Sequence, residues 1–129
     1  MKILLRDGLP LVSVALQYRH QQMALDDVLL DTGSASSVFS ADRLLAIGLI
    51  YEPEDTVHRI RGVGGSEFVF SKQLDRLSLG DLALEDCRIE IGAMEYGVQL
   101  DGILGMDFLA SVGAVIDLAR MEVRATNKQ

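Results

Sequence analysis

The apolar residues of this chain fall in short runs, partly alternating and rich in β-branched side chains. Each run is closed within about ten residues by a turn signal. That punctuation predicts an all-β domain with at most one or two short helices. Residues 11–18 read as a first strand, 19–22 as a polar turn and 23–30 as a second strand, so the two form a hairpin. Residues 38–39 form a short apolar element, and Ser40 is placed to cap a helix over 41–47 that Gly48 ends. Further strands are predicted over 56–60, 67–71, 75–79 and 82–91, the last two joined through Gly80-Asp81. A helix over 106–111 and a closing hairpin of 114–117 with 121–125 complete the reading. Each half of the chain runs hairpin, glycine turn, apolar element, helix, a faint internal echo.

At 129 residues the chain has the size of one domain, with no linker-like stretch dividing it, and it is read as a single domain over 1–129. It carries 49% hydrophobic and 24% charged residues, a globular balance. Its 12 basic and 19 acidic residues leave a net charge of −7, which disfavours a nucleic-acid partner because phosphate contacts need a basic patch. Cys87 is the single cysteine, so an internal disulfide is excluded. The apolar start is cut at Arg6-Asp7, too short for an export signal, and no run has the length of a membrane span. The expectation is a cytoplasmic protein with no membrane partner, unless the domain is cut from a longer membrane or secreted parent.

Three segments carry chemistry. Asp31-Thr32-Gly33 follows Val28-Leu29-Leu30, a strand end of buried type, and precedes Ser34. A carboxylate on a tight glycine turn at a strand tip is held rigidly at the surface. Ile103-Leu104-Gly105 lies about half a domain downstream, and Arg61-Gly62-Val63-Gly64-Gly65-Ser66 packs three glycines between two strands. A phosphate-binding role for the latter is excluded, because no P-loop lysine and no helix-opening GxGxxG context accompany it.

In this order and spacing the segments resemble the retropepsin-like aspartic peptidases. The likeness runs from Leu9-Pro10-Leu11-Val12 through Leu29-Leu30-Asp31-Thr32-Gly33-Ser34 and Gly62-Val63-Gly64-Gly65. It extends over Gly102-Ile103-Leu104-Gly105-Met106-Asp107-Phe108-Leu109 and Ala114-Val115-Ile116-Asp117. The resemblance implies a closed, barrel-like acid-protease fold that is half of a symmetric dimer. Asp31 would be the catalytic carboxylate, Thr32 would interlock with its counterpart across the two-fold axis, and Gly33 would permit close approach there. Ser34 and Ala35 would line the substrate, and Gly62, Val63, Gly64 and Gly65 would form the tip of a flap closing over it. Ile103, Leu104 and Gly105 would support the active-site loop from behind. The implied activity is aspartic endopeptidase action on peptide or protein substrates by a homodimer, with no cofactor and no metal. The alternative is a catalytically weak or inactive module of the same fold that dimerises or binds peptides.

Viral relatives carry alanine where Ser34 stands, so the Ser34 hydroxyl is expected to donate to the Asp31 carboxylate and favour an acidic optimum. Acidic peptide anchors found after the viral motif are replaced here by Ala35 and Ser36. Residues 1–6 and 123–129 are the candidates for dimer-knitting strands. Asp26 and Asp27 lack a histidine at metal-ligand spacing and read as solvated strand residues. Asp101 is expected to make turn contacts and Asp107 to cap the following helix. His20 and His58 read as surface or flap-base residues, and Cys87 as a small apolar one.

Overall fold

The computed structural model describes residues 1–62, 65–95 and 99–126. Among these, ten strands and two short α-helices form: β1 (Leu4–Arg6), β2 (Leu9–Tyr18), β3 (Gln21–Leu30), β4 (Val38–Ser40), α1 (Ala41–Leu44), β5 (Val57–Gly62), β6 (Gly65–Leu79), β7 (Leu82–Gly92), β8 (Gly102–Leu104), α2 (Met106–Ser111), β9 (Val115–Asp117) and β10 (Glu122–Arg124). Eight strands make one sheet in the order β1-β2-β3-β8-β4-β7-β6-β5, while β9 and β10 pair separately. A second pairing of β2 with β6, through Leu16 opposite Leu77, rolls the sheet onto itself. The result is the all-β, barrel-like architecture expected.

The inner face of the roll holds the core. On β2 the alternation is regular, with Val12, Val14, Leu16 and Tyr18 buried and the residues between them facing outward or part-covered. On β3 the pairing register slips: Val12 opposes Val28, but Val14 opposes Leu25, so one extra residue lies on β3 near Asp26 and Asp27. This bulge resets the phase of the strand. Leu25 before it and Val28 and Leu30 after it all point inward. The inward turn of Leu30 aims the next residue, Asp31, away from the core. Phe39 from β4 and Phe108 from α2 are fully covered and close the core beneath the turn that follows β3.

Several elements depart from the sequence reading. The two predicted strands 67–71 and 75–79 are one 15-residue strand, β6. It stays continuous because Lys72 is buried and ion-paired rather than looped out to water. The predicted helix 41–47 is α1 followed by a 3₁₀ turn over Leu45–Ile47. Ser40 does cap it, accepting from the Arg43 amide, and Gly48 ends it at φ +73°. β8 was not anticipated, and β1, within the residues 1–6 that were candidates for a dimer-knitting strand, pairs with β2 of its own chain. β1 follows from Asp7-Gly8, both at positive φ, a hairpin turn flanked by leucines. β8 is three residues long, too short for periodicity to register.

Candidate active site

The turn after β3 is held by backbone bonds before any side chain contributes. The Asp31 amide donates to the Leu104 carbonyl at 3.0 Å, and the Ser34 amide donates back to the Asp31 carbonyl at 3.2 Å. The Gly33 amide donates to Asp31 Oδ1 at 2.9 Å, fixing the carboxylate against its own turn. Thr32, Gly33 and Ala35 are exposed, whereas Asp31, Ser34 and Ser36 are half-buried.

Behind this turn runs β8. It lies parallel to β3, with Leu29 opposite Ile103 and Leu30 opposite Leu104, and antiparallel to β4, with Val38 opposite Ile103. The chain thus leaves β3, rounds the turn and returns as β4 on the other side of β8. Ile103, Leu104 and Gly105 therefore thread between the two ends of the turn. Two glycines make this crossing possible. A Cβ on Gly102 would meet the Phe39 ring at 2.4 Å, and one on Gly105 would meet the carbonyl oxygens of Ser34 and Ser36 at 2.7 Å.

Gly105 also caps α2, and the first amides of that helix have no partners within it. The loop supplies them: the Met106 amide donates to the Ser34 carbonyl at 2.8 Å and the Asp107 amide to the Ala35 carbonyl at 3.2 Å. Asp107 was expected to cap the helix; instead it sits within the first turn, and its carboxylate reaches across to Ser37. Oδ2 accepts from the Ser37 amide at 2.9 Å and Oδ1 from the Ser37 hydroxyl at 2.7 Å. The same hydroxyl accepts from the Gly105 amide at 3.0 Å. Ser37 is only 1% exposed and its bond from Gly105 is buried, whereas Asp107 is exposed, so the two bonds between Ser37 and Asp107 are part-covered. Neither its role nor its partner was legible in the sequence, because Ser37 and Asp107 stand 70 residues apart.

Ser34 also departs from expectation. Its hydroxyl donates to the Ser36 carbonyl at 2.7 Å, within the loop, and not to the Asp31 carboxylate. The competing acceptor is a backbone oxygen two residues on, which a serine reaches with little loss of freedom. On the outer flank Asp101, expected to make turn contacts, instead bonds to β3, β4 and α1. Its amide donates to the Asp27 carbonyl at 2.8 Å, its carbonyl accepts from the Ser40 amide at 2.9 Å, and its carboxylate pairs with Arg43 at 3.4 Å. Asp27 in turn pairs with Arg6 at 2.9 Å.

The glycine-rich segment joins β5 to β6, and Gly62 and Gly65 pair opposite each other as its last described rung. Val63 and Gly64 lie outside the described residues. At the root of this hairpin His58 Nε2 is 3.4 Å from Glu90 Oε2 on β7, which also accepts from the Ser71 hydroxyl at 2.8 Å. Cys87 is half-buried against the core, and burial pushes its thiol up to about 11, so it is no nucleophile at neutral pH.

Among the described residues, neither of two clefts beside the fold takes in Asp31. One, of about 480 Å³, is lined by Tyr18, Arg19, Glu52, Asp55, Lys72 and Arg88. Within it Lys72 bonds Glu52 at 2.5 Å and Asp55 at 2.8 Å. Hydrogen bonds from Lys72 and then Arg19 hold the Glu52 carboxyl below its usual range. At Asp55 burial acts the other way, yet the bonds from Lys72 and the Glu52 amide outweigh it and the carboxyl is lowered too. The Lys72 ammonium is disfavoured by burial but raised on balance by its bonds to both carboxylates. The other cleft, of about 180 Å³, lies beside the Ser37–Asp107 contact and includes Cys87, Phe108 and Ser111.

Against known families, a model described as Aspartyl protease matches residues 21–108, about two-thirds of the chain. The matched span begins with the strand that delivers Asp31 and ends in α2. No curated protein matches the chain.

Proposed function

The chain belongs to the aspartyl protease family, and on that footing we propose that it is an endopeptidase whose active form is a homodimer. Each subunit contributes one Asp31. The observation that carries this reading is the placement of a single Asp-Thr-Gly turn at a strand tip, crossed behind by Gly102–Gly105, with Thr32 and Gly33 exposed. One such turn supplies one carboxylate, and the chemistry requires two.

Two carboxylates held a few ångströms apart do not both ionise readily, so the pair shares a proton. The ionised member takes a proton from a water lying between them as that water attacks the scissile carbonyl. The protonated member donates to the carbonyl oxygen and stabilises the tetrahedral intermediate. The pair titrates as a unit. Thr32 and Gly33 would meet their counterparts at the two-fold axis, where Gly33 leaves room for the backbones to approach. The β5–β6 hairpin, whose last described rung is Gly62 opposite Gly65, would act as a flap over an extended peptide lying along Ser34 and Ala35.

The test is cleavage of a peptide library by the wild type and by Asp31→Asn at several pH values and protein concentrations. The expected outcome is loss of activity on the order of 10³-fold or more in Asp31→Asn, the scale seen when a catalytic group is removed. Cleavage undiminished in Asp31→Asn would show that the hydrolysis, if any, runs by another mechanism.

A further inference from the structure

The structure assigns to Asp107 the positioning of the catalytic loop, exerted on Asp31 through Ser37; the assignment rests on the peptidase reading above. The loop of residues 31–37 is tied in its middle by the Met106 and Asp107 amides and is anchored again at each end. At its start the Asp31 amide is tied to Leu104. At its end the Asp107 carboxylate takes both hydrogen-bond donors of Ser37, while the Ser37 carbonyl accepts from the Glu90 amide at 3.0 Å. The Gly105 amide completes the junction by donating to the Ser37 hydroxyl. Thus one carboxylate, from the helix that follows the threading strand, fixes the far end of the turn that carries the reactive carboxylate.

The geometry distinguishes this from ordinary core support. Asp107 buries no large apolar surface, and each bond its carboxylate makes to another element ends on Ser37. The Asp107 amide donates to the Ala35 carbonyl at 3.2 Å, and its other bonds stay inside α2, where the Phe108 amide donates to Oδ1 at 2.8 Å and the Ser111 hydroxyl donates to the Asp107 carbonyl at 2.6 Å. If the carboxylate is removed, two buried donors of Ser37 lose their acceptor. The cleft of about 180 Å³ beside them gives the freed residue room to move. A displacement of the loop by even 1 Å moves Asp31 relative to a second carboxylate, and misplacement on that scale costs about 10²-fold in rate.

Four variants test this: Asp107→Ala, Asp107→Asn, Ser37→Ala and Ser37→Thr, measured for kcat and KM on a cleaved peptide and for amide hydrogen exchange. Asp107→Ala and Ser37→Ala are expected to lower kcat by about 10²-fold, with a smaller rise in KM because Ser34 and Ala35 of the same loop lie along the peptide. Exchange at the Ser37 amide should quicken in Asp107→Ala, while the core amides of Leu74 and Ile89 stay protected, showing that the fold persists. Asp107→Asn keeps one oxygen for the Ser37 amide and should recover most of the rate; Ser37→Thr keeps the hydroxyl and should stay near wild type. Wild-type kcat in Asp107→Ala, alongside an inactive Asp31→Asn, overturns the assignment and leaves the peptidase reading intact. Activity that survives in Asp31→Asn overturns both.

Discussion

At Gly105 a methyl group would lie 2.7 Å from the carbonyl oxygens of both Ser34 and Ser36, and neither is the end of a flexible side chain. Gly105→Ala therefore forces the catalytic turn and the start of α2 apart. The expected cost is about 2–3 kcal/mol of stability, read from a urea titration, with peptide cleavage lost. Ser34→Ala is a milder case. Because the Ser34 hydroxyl bonds the Ser36 carbonyl and not the Asp31 carboxylate, the substitution should leave the acidic limb of the pH–rate profile in place. It should loosen the loop by about 1 kcal/mol. A shift of that limb by a full pH unit would show that the hydroxyl acts on Asp31 after all. At this scale Asp31, Thr32 and Gly33 were legible, since a carboxylate on a glycine turn after an apolar strand is a local pattern. The partners of Ser34, Ser37 and Asp107 were not, because a hydroxyl or carboxylate chooses among acceptors and donors that only folding brings near.

Among elements, β6 shows how burial overrides a polar break. Lys72 and Gln73 look like the end of one strand and the start of another, yet the ladder to β7 runs on through Lys72 opposite Ile89 and Gln73 opposite Arg88. Lys72 can stay because Glu52 and Asp55 neutralise it. Lys72→Met removes the cation that both carboxylates share, leaving Glu52 with Arg19 alone, so it should lower stability at pH 7. The pH dependence has a definite sign. Both carboxyls are lowered in the fold, so the stability they contribute is present above the ordinary carboxylate range and is lost as pH falls through their folded values. Wild type should therefore weaken as pH falls below the ordinary carboxylate range, while Lys72→Met should be flatter there, and the gap between the two should narrow on acidification. Urea midpoints at pH 7 and pH 4 measure this, and an equal gap at both would sink the pairing account. Strands and helices were largely legible from turn chemistry and alternation. β8 and the bulge on β3 were not: three residues carry no period, and a register slip becomes visible only when the partner strand is known.

For the molecule as a whole, residues 1–3 are committed within the chain. The Met1 amino group donates to the Val123 carbonyl, the Val123 amide to the Met1 carbonyl and the Ile3 amide to the Met121 carbonyl. Leu4 and Leu5 on the edge strand β1 remain 64% and 63% exposed. A homodimer that shares its active site has a measurable signature. Mixing wild type with a ninefold excess of Asp31→Asn should leave about one-tenth of the activity of the same amount of wild type alone, because nearly every wild-type subunit is then paired with an inactive one. Undiminished activity in that mixture would mean that one chain suffices. The sequence by itself determined the all-β class and the turn that presents Asp31, since alternation and turn chemistry are properties of neighbouring residues. Only the tertiary structure decided that β8 passes behind that turn, that Gly102 and Gly105 must be glycine for it to pass, and that Asp107 reaches Ser37. Those facts depend on which distant segments share a small volume, and nothing in the local order of residues encodes that distance.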